Sequence, residues 1–260
     1  MTGSPSRPIT SYTIEIDTAD GGRTTAFVTE PIGSGPHPAI VFGAEAMGLN
    51  RFGRRVASDL ATLGYVTITP DYYRGNGPSN PDDYSDFSEV MDAIDKLDFR
   101  AATYDLLSGA DWLRAHPHVK ASQVGVWGYC TGGTLAMLAA SLDRRLAATL
   151  LFFPSQPRFE QLTTKRPAHA MDLIWSITSP VLLIYGDQDP IMPPDLLNEI
   201  RSRFDRWGIA NEVCIYPGAG HAFSADAEAL HNADATAASW HAATGFMDRH
   251  MPALTSPPPV

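Results

Sequence analysis

With 260 residues, 44% of them hydrophobic and 10% aromatic, the chain can bury the core of one large domain. A formal charge of −10, with Lys and Arg scattered and no basic run, argues against a nucleic-acid partner. No stretch approaches the ~20 apolar residues of a membrane helix, MTGSPSRPITSY lacks the pattern of a secretory signal, and Cys130 and Cys214 are too few for a disulfide framework and lack metal-ligand spacing, so a cytoplasmic protein with no membrane partner is expected.

In chain order, SYTIEID (11–17) sets Tyr12, Ile14 and Ile16 at period two, Asp20-Gly21-Gly22 marks a turn and TTAFVTE (24–30) returns. An antiparallel hairpin therefore opens the domain. PAIVFG (38–43), YVTITP (65–70), QVGVWG (123–128), AATLLFF (147–153), VLLIYG (181–186) and EVCIYP (212–217) are short apolar runs. Such runs are expected of strands buried on both faces.

Between them lies helical spacing. Phe52, Val56, Leu60 and Leu63 recur every three to four residues, with Asn50 as the cap and Gly64 as the stop. Leu197, Ile200, Phe204 and Trp207 follow Pro193-Pro194 and end at Gly208. Leu230, Ala233, Ala237, Trp240, Thr244 and Met247 predict a long final helix.

Strands alternating with helices imply an α/β fold, a mostly parallel central sheet with helices on both faces. One domain over 10–250 is expected, between flexible termini at 1–9 and 251–260. Ligands in such sheets bind beyond the carboxyl ends of the strands. Two stretches, 75–90 and 154–175, interrupt the alternation after predicted strands and are expected to form a rim or lid there.

Three strand ends carry chemistry. Gly128-Tyr129-Cys130-Thr131-Gly132-Gly133 has the form of a nucleophile elbow with Cys as the nucleophile, its glycines permitting a strained turn and close strand–helix contact. The helix that follows aims its amino end at the sulfur, favouring thiolate. Tyr185-Gly186-Asp187-Gln188-Asp189 offers two aspartates, one to orient a histidine and one to shape the turn. Pro217-Gly218-Ala219-Gly220-His221 puts one of the eight histidines on a glycine-rich loop at a strand end. The order Cys, Asp, His is that of α/β-hydrolases. Cys214, mid-strand in EVCIYP, reads as core packing.

These motifs, with GAEAMGLN (43–50), Gly64-Tyr65-Val66, Pro70-Asp71-Tyr72-Tyr73 and Gly220-His221-x-Phe223, resemble the dienelactone hydrolase (carboxymethylenebutenolidase) family over residues 10–250. The resemblance implies an α/β-hydrolase fold with Cys130 as nucleophile, His221 as base and Asp189, not Asp187, as its orienter. Glu45 would hold the resting thiol and help activate it, and the backbone N–H groups of Thr131 and Ala46 would receive the oxyanion. No metal or other cofactor is implied.

Of the family's two carboxylate-binding arginines, the first is displaced here and the second is absent. Arg74 lies one position early for the first, and Ala225 stands at the second, which points to a more neutral or larger ester. Candidate substrate contacts are Arg74, Tyr73, Tyr129, Phe223, Trp175 and Phe159.

The expected protein is thus a monomeric or homodimeric cysteine-dependent hydrolase of small-molecule carboxylic esters or lactones. Organophosphate hydrolysis or acyl transfer on the same site is one alternative. A noncatalytic binding module of the same fold is another, against which the complete triad speaks.

Overall fold

The computed structural model describes residues 7–253. Strands β1 (Ile9–Asp17) and β2 (Arg23–Pro31) pair antiparallel, from Ile9 opposite Pro31 to Asp17 opposite Arg23. β3 (His37–Gly43), β4 (Val66–Pro70), β5 (Val119–Tyr129), β6 (Thr149–Phe152), β7 (Val181–Gly186) and β8 (Asn211–Tyr216) complete an eight-stranded sheet of order β1-β2-β4-β3-β5-β6-β7-β8. From β4 to β8 every pairing is parallel.

Helices α1 (Arg51–Thr62), α2 (Ser88–Lys96), α3 (Phe99–Ala115), α4 (Thr131–Leu142), α5 (Pro194–Arg206) and α6 (Ala233–His250) supply the crossovers and the last layer. The connection from β3 to β4 runs one way along the sheet, and those into β5, β6 and β8 run the other. Right-handed crossovers therefore put α1 on one face and α3, α4 and α5 on the opposite one. Phe52 of α1 meets Tyr129 edge-on at 5.1 Å and Trp240 of α6 lies 5.6 Å from Trp127, so α1 and α6 share a face. The reversal of direction at β3 and β5 opens a crevice between their carboxyl ends.

Several expectations need correction. EVCIYP is not buried on both faces: β8 is an edge strand with one neighbour, Cys214 is half-buried and Ile215 exposed. Trp207 stands beyond the end of α5, with 56% of its surface exposed. Leu230 precedes α6. The chain stays ordered past 250, because Met251 is fully buried and its carbonyl accepts from the Tyr65 hydroxyl at 3.0 Å. Ile9 already belongs to β1, and the remainder of the two tails, 1–6 and 254–260, lies outside the described residues.

Helices α2 and α3 were not foreseen. α3 buries Phe99, Ala102, Leu106, Gly109, Ala110 and Leu113 at helical spacing, yet half of that stripe is Ala or Gly. Small residues let the helix lie close on the sheet, and for the same reason they weaken the hydrophobic periodicity. Of the 154–175 stretch, only its start reaches the crevice; a 3-10 segment, Ala170–Ser176, packs on α4 and α5 instead. Among the described residues no helix is long and apolar enough to cross a membrane.

Candidate active site

β5 ends at Tyr129 and α4 begins at Thr131, which leaves Cys130 alone on the turn with φ +52° and ψ −117°. A non-glycine residue in that region is strained, and such strain persists only where packing imposes it. The packing is backbone on backbone: a Cβ on Gly128 would overlap the carbonyl oxygen of Gly132, and one on Gly132 would overlap that of Gly43. The end of β3 is thereby pressed against the elbow, and the loop after it, with Glu45 and Ala46, arrives beside the sulfur.

His221 Nε2 lies 3.1 Å from Cys130 Sγ, and His221 Nδ1 lies 2.8 Å from Asp189 Oδ2. An ionised carboxylate only accepts, so Nδ1 carries the proton and Nε2 faces the sulfur. Asp189 is itself fixed, its other oxygen accepting from the Ile191 N–H at 2.9 Å, and its side chain is fully buried. Asp187 shapes the loop, accepting from the Gly218 N–H at 2.7 Å. Phe153 meets the imidazole edge-on at 5.2 Å and closes off its far side.

Burial alone would push the Cys130 thiol up, but the charge and hydrogen bond of His221 outweigh it and leave the thiol below its usual range. Burial likewise opposes a charged His221, yet the sulfur and Asp189 together push it well up. Both displacements favour one state, a thiolate beside an imidazolium.

The Tyr72 hydroxyl donates to the Glu45 carbonyl at 2.5 Å, and the Gly48 N–H donates to the same oxygen at 2.9 Å. Because a trans peptide holds its C=O and N–H on opposite sides, these bonds turn the Ala46 N–H away from Tyr72. Tyr73 donates to the Ala46 carbonyl at 2.8 Å. The Thr131 N–H opens α4, where helical N–H groups have no intrahelical acceptor.

Glu45 is buried, and its Oε1 accepts from Asn50 Nδ2 at 2.8 Å and from the Tyr84 hydroxyl. Burial pushes its carboxyl up. The hydrogen bonds of this carboxylate thus run to Asn50 and Tyr84, while the thiol's runs to His221. Asn50 also caps α1 by accepting from the Gly53 N–H at 2.9 Å, so one side chain serves helix and carboxylate together.

A cavity of about 290 Å³ stands over the sulfur. Glu45, Ala46, Cys130 and His221 form its floor, joined by Ser155 and by Gln156, whose Oε1 is buried without a hydrogen-bond partner among the described residues. Its roof is Tyr84, Phe87 and the α2 residues Val90, Met91 and Ile94.

Of the predicted residues, Cys130, His221, Asp189, Glu45, Ala46 and Thr131 converge here; the candidate substrate contacts do not. Arg74 is held by Asp105 at 2.6 Å and Asp20 at 3.0 Å, away from the cavity. Tyr129 is buried against Phe42 and Phe52 under the sheet, and Phe223 is buried against Phe153 and Tyr216. Phe159 stacks edge-on to Phe99 at 4.8 Å. Trp175 lies exposed on the 3-10 segment. Tyr73 supports the Ala46 loop from below. The 75–90 stretch expected as a rim does reach the cavity, through Tyr84, Phe87 and Val90, but sequence reasoning named none of these contacts and missed Met91 and Ile94 beyond it, although Phe87, Val90, Met91 and Ile94 follow helical spacing that could have disclosed them.

A mostly parallel sheet with this crossover pattern and a strained elbow at the switch point defines an α/β-hydrolase. The chain belongs to the dienelactone hydrolase family, whose sequence profile matches residues 24–251. A solved protein of Klebsiella pneumoniae subsp. pneumoniae assigned to the dienelactone hydrolases superposes with a TM-score of 0.84 at 24% identity, covering 93% of this chain and 99% of that one. P91 from metagenomic libraries, described as a dienelactone hydrolase-like promiscuous phosphotriesterase, superposes with a TM-score of 0.74 at 25% identity, covering 92% and 98%. A Bradyrhizobium protein named "Probable 2-oxo-3-(5-oxofuran-2-ylidene)propanoate lactonase" is 28% identical over 243 residues, 92% of this chain and 96% of the relative. The protein is a dienelactone hydrolase-like hydrolase.

Proposed function

We propose that the protein hydrolyses carboxylic esters or lactones through an acyl-thioester on Cys130. The observation that carries this reading is the unbroken line from Cys130 Sγ through His221 to Asp189 beneath a cavity. The thiolate attacks the carbonyl carbon, and the developing oxyanion takes hydrogen bonds from the Thr131 and Ala46 N–H groups. Collapse breaks the C–O bond, and the departing alkoxide takes the proton from His221 Nε2. His221 then removes a proton from water, which attacks the thioester, and the thiolate leaves. A thiolate held this low is a poor match for expelling an amine, so esters rather than amides suit the site.

The test is an activated ester followed by mass spectrometry, which should find the acyl group on Cys130. Cys130→Ala and His221→Ala should each abolish turnover; hydrolysis surviving both would sink the assignment. The likeness to P91 supports a second reading, attack of the same thiolate on phosphotriesters. An aryl dialkyl phosphate assayed with Cys130→Ala as control decides it.

A further inference from the structure

Beyond Tyr84, the roof of the cavity is built from one face of the short helix α2 and its cap residue Phe87. Phe87, Val90, Met91 and Ile94 stand three and four residues apart and all line the cavity, while Glu89, Asp92 and Asp95 fall outside it. Val90 and Ile94 pack with Ala46 and Met47 in an apolar cluster separate from the main core, with Cys130 against it. At the mouth Phe87, Met91 and Ile191 remain 43%, 53% and 42% exposed. Large apolar side chains gathered in water at a concave mouth mark a surface that a ligand covers.

The charge pattern is equally one-sided. Among the described residues no Lys or Arg lines the cavity, and its one carboxylate, Glu45, sits on the floor. Arg74, the nearest match to a family arginine, is tied to Asp105 and Asp20, and Ala225 is buried. A substrate carboxylate would be desolvated beside Glu45 with only the reacting imidazolium as a countercharge.

Resting on the hydrolase reading above, we infer that the substrate is a neutral ester with an apolar acyl chain lying between α2 and the Ala46–Met47 loop. The alcohol must depart beside His221, and the oxyanion must face the Ala46 and Thr131 N–H groups. The direction left for the acyl chain runs to Met47, Val90 and Ile94. A volume of about 290 Å³ holds about ten groups of water size at ~30 Å³ each, room for the ester and a chain of about six carbons.

The experiment compares p-nitrophenyl esters from acetate to octanoate, and pairs hexanoate with its analogue bearing a terminal carboxylate. kcat/KM should rise on the order of tenfold for each pair of added methylenes until the cavity is full, and the anionic analogue should fall at least about 100-fold below hexanoate. Met91→Lys, at the exposed mouth, should shrink that last ratio. A flat or falling chain-length series, or an anionic ester cleaved as fast as the neutral one, overturns the inference. Binding of the two intact esters to Cys130→Ala, measured by calorimetry, needs no nucleophile. Tighter binding of hexanoate there supports the pocket assignment even if no ester is turned over, and preference for the anion defeats it even if Cys130 proves catalytic.

Discussion

Tyr72→Phe isolates one hydroxyl that holds one peptide. That hydroxyl donates to the Glu45 carbonyl, and the same peptide carries the Ala46 N–H proposed to receive the oxyanion. Complete loss of such a donor lowers kcat by about 100- to 1,000-fold. Here the Gly48 N–H still holds the carbonyl at 2.9 Å, so the peptide is loosened rather than released, and about a tenfold fall in kcat is expected. KM should hardly move, since the bond matters to charge that develops only in the transition state. Folding stability should drop by only about 1 kcal/mol, because the buried acceptor keeps one donor. Tyr73→Phe is the matched control: it frees the Ala46 carbonyl, on the next peptide, whose N–H belongs to Met47. Steady-state kinetics on an activated ester, with urea melts of both variants, separate the cases. An unchanged kcat in Tyr72→Phe, or equal losses in the two variants, refutes the reasoning.

Iodoacetamide should modify Cys130 well before Cys214, whose thiol burial pushes up; the Cys130 rate should fall as pH drops through the depressed thiol value, and His221→Ala should move that midpoint upward. His221, ordinarily near ~6.5, is pushed up to about 10, so its contribution to stability is complete below ~6.5 and is lost as pH rises through about 10. The stability gap between the wild type and Asp189→Asn should therefore narrow over that window in urea titrations, and a gap that widens contradicts the assigned ion pair. Asp189→Asn should also lower kcat on the order of 10⁴-fold by releasing the imidazole tautomer. Arg74→Ala strands the fully buried Asp105 carboxylate and should cost about 3 kcal/mol at pH 8. The loss should shrink toward pH 5, because Asp105 is already pushed up to about 6 and can take a proton, while ester turnover stays unchanged.

The sheet and the floor of the site were legible because their signals are local. A strand that must be buried on both faces reads as an unbroken apolar run, and a turn where backbones touch admits only glycine, so the neighbourhoods of Cys130, Asp189 and His221 announce themselves. Arg74 was misleading because position in a motif does not disclose a distant competitor; Asp105, on a helix the sequence hid behind alanines, had already claimed it. The same concealment hid the helix in the roof, whose position over the site was legible but whose contacts were not. FSEVMDAI carries an apolar stripe, but its flanks of Asp, Ser, Asn and Pro resemble a loop, and only the closure of that segment over the sulfur gives the stripe something to face.

The backbone contact among Gly43, Gly128 and Gly132 divides the molecule by what can vary. Where main chains already touch, no side chain can be enlarged, so the reacting geometry cannot drift by small steps. Apart from Tyr84, whose hydroxyl holds Glu45, the segment from 75 to 96 has no such tie to the floor of the site, and its other side chains can be exchanged one at a time. A new substrate preference on this scaffold is accordingly reached by rewriting that segment, with the chemistry carried through unaltered.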